Sequence, residues 1–118
     1  MVKEQVFGNR KTILIGQDSF YIALPIKLSG TANATIKAGE PLVGDISVRT
    51  TEEFKVGTTN VSGLLLHEVV LDSKGKGNGT ILVAGCVDRL KLDMEVLGKV
   101  IGLADDLKHI IITEGSAI

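Results

Sequence analysis

Gly63-Leu64-Leu65-Leu66-His67-Glu68-Val69-Val70-Leu71 and Thr80-Ile81-Leu82-Val83-Ala84-Gly85-Cys86-Val87-Asp88 are two apolar runs of strand length. Asp72-Ser73-Lys74-Gly75-Lys76-Gly77-Asn78-Gly79 joins them, so the pair reads as a long-looped β-hairpin. Successive strand residues face opposite ways, which puts Leu64, Leu66 and Val70 on one side and Leu65, Val69 and Leu71 on the other. Both sides are apolar. A strand covered on two faces belongs in a sandwich or barrel, or beneath a neighbouring subunit, rather than in a sheet with one wet face.

Upstream, Phe20 to Leu28 (FYIALPIKL) is β-rich but carries Pro25, which cannot donate to a ladder and predicts an edge strand or a bulge. The first nineteen residues alternate poorly and hold two turn clusters around Thr12-Ile13-Leu14-Ile15, so residues 1–19 read as a flexible N-terminal arm. Residues 20–118 read as a single β-rich domain. Leu42 to Val48 predicts a strand after the Ala38-Gly39-Glu40-Pro41 turn, and Arg49 to Ser62 a long surface excursion with one short strand anchored by Phe54 and Val56.

After Asp88 the period changes. Leu97, Val100, Ile101, Ala104 and Leu107 form one helical stripe, with Lys108 and His109 suited to the negative C-terminal end. Ile110 to Thr113 predicts a last short strand, and Glu114 to Ile118 a fraying tail. The expected fold class is mainly β with one or two short helices (α+β), as a small barrel-like or sandwich-like domain.

The chain's 118 residues suffice for one core without metals or disulfides, and Cys86 is the sole cysteine. Thirteen basic against fourteen acidic residues give a net charge of −1 and no field to attract nucleic acid. Three Phe, one Tyr and no Trp leave little for stacking bases or sugars. No basic start leads into an apolar leader and no long apolar run occurs, so the expectation is a chain made soluble inside the cell, with no membrane partner. The Asn-x-Ser/Thr triplets at Asn33, Asn60 and Asn78 then read as turn asparagines.

Candidate chemistry is sparse. His67 and His109 lack zinc-ligand spacing, so no metal or cofactor is expected. Cys86 as a nucleophile would need a base, and His67 on the facing strand is the candidate; a small buried cysteine is the plainer reading. The stretch Lys74-Gly75-Lys76-Gly77-Asn78-Gly79-Thr80 could offer amides and ammonium groups to a phosphate, but a strand rather than a helix follows it. It reads as a mobile hairpin tip. Glu40, Asp45, Glu52, Glu53, Asp105 and Asp106 fall in adjacent pairs or turns, where solvation explains them and no acid–base dyad follows.

Three stretches together carry a resemblance: Ile36-Lys37-Ala38-Gly39-Glu40-Pro41-Leu42-Val43-Gly44-Asp45-Ile46, Gly63 to Val69, and Asn78 to Leu92. Their order resembles that of the head-decoration proteins of tailed bacteriophages, the lambda-like capsid-stabilising family that includes head fiber and capsid cement proteins. Ala38, Glu68 and Cys86 depart from that family's pattern. The resemblance implies a non-enzymatic β-rich virion protein that binds the outside of an assembled capsid as a trimer, after synthesis in the bacterial cytoplasm, with the major capsid protein as partner. It further implies shell contact through the N-terminal run from Ile13 to Ile26, including Ile13, Leu14, Ile15, Phe20, Ile22 and Pro25, where Pro25 keeps an edge open for strand addition. Leu65 and His67, on the two-faced strand, join this expected contact set. Two other readings compete: a small β-barrel ligand-binding module or enzyme using His67 and Cys86, and a phage tail or baseplate adaptor.

Overall fold

The computed structural model describes residues 13–15 and 20–113. Its strands are β1 (Tyr21–Ser29), β2 (Thr35–Ile36), β3 (Pro41–Val43), β4 (Glu53–Val56), β5 (Gly63–Leu65), β6 (Val69–Val70), β7 (Lys76–Asp88) and β8 (Ile110–Thr113). One helix, α1 (Met94–Val100), runs on into a 3-10 turn at Ile101–Leu103. The mainly β class with a short helix is therefore what the chain adopts. The expected arm beyond residues 13–15 and the expected tail from Glu114 lie outside the described residues.

The long strand β7 organises the molecule. It pairs antiparallel with β1 along nearly its whole length and with β5 at Leu64↔Leu82 and Leu65↔Ile81, and parallel with β8 from Gly85↔Ile110 to Asp88↔Thr113. The mixed sheet runs β1-β4-β3-β5-β7-β8, with β1 returning to β7, while β2 and β6 form a separate two-stranded sheet. The barrel expectation needs correction. The seams β1–β4, β3–β5 and β5–β7 each hold only two residue pairs, so the sheet is curled rather than a regularly staggered barrel.

Two apolar clusters fill the two sides of this curl. Ile26, Leu28, Leu42, Phe54, Leu65 and Ile81 come from all five curled strands and make its inside, closed by Ile36 and Leu71. Leu64, Leu66, Leu82 and Val87 point the opposite way, against Val96, Val100 and Leu107. The predicted alternation of Leu64, Leu65 and Leu66 is real, but both faces are covered within one chain.

Helix α1 starts where Asp93, in extended conformation, accepts a hydrogen bond from the Glu95 amide. Its inward residues are Val96 and Val100, followed by half-buried Leu103 and buried Leu107. Ile101 and Ala104, expected in the stripe, face outward. The change to 3-10 geometry at Ile101 tightens the turn and rotates the phase, so a stripe counted at 3.6 residues per turn loses its register.

The expected strand over Leu42–Val48 is shorter. It stops at Val43, and Asp45 caps a 3-10 turn over Ile46–Val48 by accepting from the Ser47 amide. The glycine-rich stretch is also corrected. Only Ser73–Gly75 forms the turn, held by the Asp72 carboxylate, which accepts from the Lys74 and Lys76 amides at 2.8 and 2.9 Å. Lys76 to Gly79 is already β7. At Gly79 an added Cβ would stand 2.8 Å from Leu28 Cδ1 and 3.0 Å from Leu65 Cδ1, so those buried side chains would have to shift to admit one.

Candidate functional site

A depression of about 860 Å³ lies between the β2–β3 turn, the segment after β5, the start of β7 and the approach to α1. Lys37, His67, Glu68, Asn78, Thr80, Lys91 and Asp93 supply its polar lining. The lining charges balance, and the cations have internal partners. Lys37 Nζ stands 3.2 Å from Asp93 Oδ2 and 3.8 Å from Glu95 Oε1. The hydrogen bond and charge of Asp93 raise the Lys37 pKa. The Asp93 carboxyl is held below its ordinary range, first by the Glu95 amide and then by Lys37. Lys91 Nζ donates to the Leu14 carbonyl at 2.7 Å. Neither lysine is idle in the manner of an anion-binding cation.

His67 and Cys86 are not brought together. The Leu66 amide donates to the Thr80 carbonyl, which sets His67 beside Thr80. Cys86 lies six residues further along β7, roughly 20 Å at the strand rise. The nucleophile–base pair considered from the sequence therefore has no geometry. Among the described residues no three His, Cys, Asp or Glu side chains gather to hold a metal ion. Several carboxylates act locally instead: Asp106 accepts from the Val61 amide at 3.0 Å, and Glu40 receives Lys99 Nζ at 2.7 Å, tying the β3 entry to α1.

The asparagine readings divide. Asn33 and Asn60 occupy left-handed turn conformations, at φ 61° and 56°, as expected of turn asparagines. Asn78 is instead a strand residue facing Lys27.

The expected contact residues divide too. Ile13 and Leu14 are corrections, because both are buried in the cluster under α1. Leu14 bridges Val87, the Asp88 amide donates to the Ile13 carbonyl, and the Ile15 amide donates to the Cys86 carbonyl. This stretch prolongs the line of β1 beside β7, satisfying backbone groups that β1 does not reach. Leu65 is a second correction, being fully enclosed inside the curl. His67 is half-buried in the polar groove and Ile15 half-buried beside Cys86. Phe20, Ile22 and Pro25 are exposed.

Pro25 does face an open edge. Its carbonyl accepts from Arg49 Nη1 at 2.9 Å on the side away from β7, and its missing N–H lies on that same side. Arg49 thus caps the edge at this point rather than leaving it bare.

Several exposed apolar side chains carried no sequence signal of exposure: Tyr21, Leu90, Met94, Ile101 and Ile111. Their positions depend on which face the neighbouring strands cover. A second, apolar groove of about 420 Å³ runs between α1 and β8, lined by Leu97, Ile101, Ala104, Ile110 and Ile112, with Arg89 and Lys108 among its other residues. No helix among the described residues is long and apolar enough to cross a membrane. Comparison with protein-family models, with curated proteins and with solved structures gave no match in any of the three.

Proposed function

We propose that this chain is a structural protein of a tailed bacteriophage or prophage that binds the outer surface of the assembled head and stabilises it. The observation that carries the reading is the exposed run Phe20-Tyr21-Ile22, at 76, 44 and 44% exposure, where β1 enters the sheet. Three consecutive large side chains, two of them aromatic, stand in water at a strand end, with Tyr21 and Ile22 on opposite faces of β1, and exposed apolar groups of this size support a surface that a partner covers. This run falls within the segment that the resemblance to decoration proteins assigns to shell contact. A partner that binds only the mature shell lowers its free energy by mass action, and many sites on one lattice multiply the effect. No chemical step is required.

The test is co-sedimentation of the purified chain with expanded and unexpanded shells assembled from the major capsid protein of the phage or prophage that encodes it. The proposal expects binding to expanded shells and its loss in a Phe20→Ser/Ile22→Ser variant whose thermal unfolding is unchanged. Absence of binding to expanded shells, or undiminished binding by that variant, refutes it, and binding to purified tails in place of heads would point to an adaptor.

A further inference from the structure

We infer that the outer face of the sheet at Ser29 is a binding site for a tetrahedral oxyanion, a phosphate or sulfate group held jointly by Ser29, Lys55 and Lys76. The inference stands apart from the reading of the chain as a capsid protein. It starts from one atom. The Ser29 hydroxyl is enclosed, in a residue 7% exposed, and has no hydrogen-bond partner. Buried polar groups are nearly always paired, so an orphan of this kind marks a place where a water or an ion belongs.

Strand geometry sets the neighbours of that hydroxyl. Ile26 and Leu28 turn into the curl, so Lys27 and Ser29 face outward. Ser29 lies opposite Lys76 in the antiparallel ladder. The Lys76 carbonyl accepts from the Asp72 amide and the Thr80 carbonyl from the Leu66 amide, so both residues turn their backbone groups away from β1. Ser29 and Lys76 are therefore a non-hydrogen-bonded pair, the kind with Cα atoms about 4.5 Å apart and side chains closest. On the other flank, the parallel register Lys27↔Glu53 and Leu28↔Phe54 brings Lys55 next to Ser29. One row across β7, β1 and β4 thus reads Lys76, Ser29, Lys55, and the row beside it Asn78, Lys27, Glu53. These rows lie at the start of β7, the far end of the strand from Asp88, where Ile13 and Thr113 attach.

Charge favours an anion over a water. The Glu53 carboxyl is held below its ordinary range, first by the Lys76 hydrogen bond and then by the charges of Lys76, Lys55 and Lys27. Lys76 Nζ reaches Glu53 Oε1 at 2.7 Å, while Asp72, the other carboxylate that feels Lys76, accepts from the Lys74 and Lys76 amides. Lys27 and Lys55 have no ion pair or hydrogen bond among the described residues. Neighbouring strands are about 4.8 Å apart, which sets Lys55 and Lys76 about 10 Å apart at their Cα atoms and lets their long stems converge on an ion over Ser29. That ion accepts from the hydroxyl and from both ammonium groups, and it takes the place of Glu53 as the partner of Lys76. Glu53 is then an internal competitor that keeps the site closed.

Amide NMR spectra of the full chain, with inorganic phosphate exchanged for chloride at fixed ionic strength, should show saturable shifts centred on Ser29, Gly30, Lys55 and Lys76. Sulfate should compete. Ser29→Ala and Lys55→Gln should each weaken phosphate binding by about fivefold or more, the loss expected for one charge-assisted contact, whereas Lys108→Gln beside β8 should not. Glu53→Gln removes the competitor and should tighten binding. Because Ser29→Ala also deletes an orphan hydroxyl, its urea midpoint without phosphate should be no lower than that of the parent chain. O-phosphoserine titrated in parallel separates the two sources of the group: tighter binding than phosphate assigns the site to an esterified phosphate, weaker binding to the free ion. The absence of saturable shifts, phosphate affinity unchanged in both Ser29→Ala and Lys55→Gln, or a lower midpoint for Ser29→Ala overturns the proposal and leaves the hydroxyl to a water or to a bond within the chain.

Discussion

Lys91 Nζ and the Leu14 carbonyl meet at 2.7 Å across 77 residues of chain. The contact ties the N-terminal segment to the turn that leads into α1, next to Ile13, which is fully buried. Residues 13–15 are thus part of the domain's own core, beside β7. Ile13→Ala should cost about 2–4 kcal/mol, the usual range for emptying a fully buried aliphatic site. Lys91→Met should cost about 1 kcal/mol for one lost hydrogen bond. Urea unfolding at neutral pH measures both, and an Ile13→Ala midpoint equal to that of the parent chain would mean the segment is not held.

Two glycines should respond in opposite directions to alanine. A Cβ at Gly63 would lie 2.4 Å from the Leu82 carbonyl oxygen and 2.8 Å from Ile81 Cγ1, where β5 meets β7. Backbone must move, so Gly63→Ala should destabilise by about 2 kcal/mol or more. Gly98 lies within α1 with nothing within 4 Å of the added atom, and Gly98→Ala should stabilise by about 1 kcal/mol. Thermal unfolding of the two variants side by side checks the pair; a common sign would contradict the packing at one of them.

The separation of His67 from Cys86 has a direct chemical readout. Alkylation of Cys86 by iodoacetamide should proceed at the same rate in the parent and in His67→Ala, since imidazole and thiol do not meet. Cys86→Ser should shift stability by less than about 1 kcal/mol, as expected for a half-buried side chain of similar size. Slower labelling without His67 would mean the two groups do communicate.

Acid should unfold this protein through a small set of capping carboxylates. Asp93, Asp72 and Asp45 are held low by backbone amides or the Ser47 hydroxyl, and Glu53 by Lys76. Because the folded values lie below the unfolded ones, the stability they contribute is fully present above about pH 4 and is lost as pH falls through the folded values. Lys37, raised by Asp93, works the other way, contributing below its ordinary value and losing that contribution at still higher pH. The parent chain should therefore show a melting temperature level between pH 5 and 8 and falling below about pH 4. Asp93→Asn should melt lower at pH 7 and fall less steeply in acid; an unchanged acid slope would remove Asp93 from the set.

Period-two alternation made the antiparallel pairing of β5 with β7 and its two apolar faces legible, because side chains alternate on any sheet whatever covers them, though the expected first strand ends at Leu65 and not at Leu71. The short apolar run at Ile110–Thr113 marked β8, Phe54 and Val56 marked the short strand β4, and proline's missing N–H marked the edge position of Pro25. It placed α1 but misjudged its face, choosing Ile101 and Ala104 where Val96 and Leu103 turn inward, since a 3-10 turn leaves no mark on a count at 3.6 residues per turn. It extended the hairpin loop too far because glycines and lysines look like a mobile tip whether or not a strand such as β1 lies close enough to demand them.

By itself, then, the sequence located most of the strand-forming segments and the two apolar sides of the central ones, but it ran one strand from Gly63 through Leu71 where the chain breaks after Leu65 and pairs Val69–Val70 with β2 in a separate sheet. Only the tertiary structure decided what covers those faces. Leu65 turns into the curl, Leu64 and Leu66 turn under α1, and Ile13 and Leu14 complete that layer beside Val87. These contacts join residues far apart in the chain, and their energies depend on which surfaces close on one another rather than on any local pattern. The reading of Ile13, Leu14 and Leu65 as partner-facing changed for that reason, while Phe20, Tyr21, Ile22 and Ile111 emerged as the apolar side chains that the fold leaves in water.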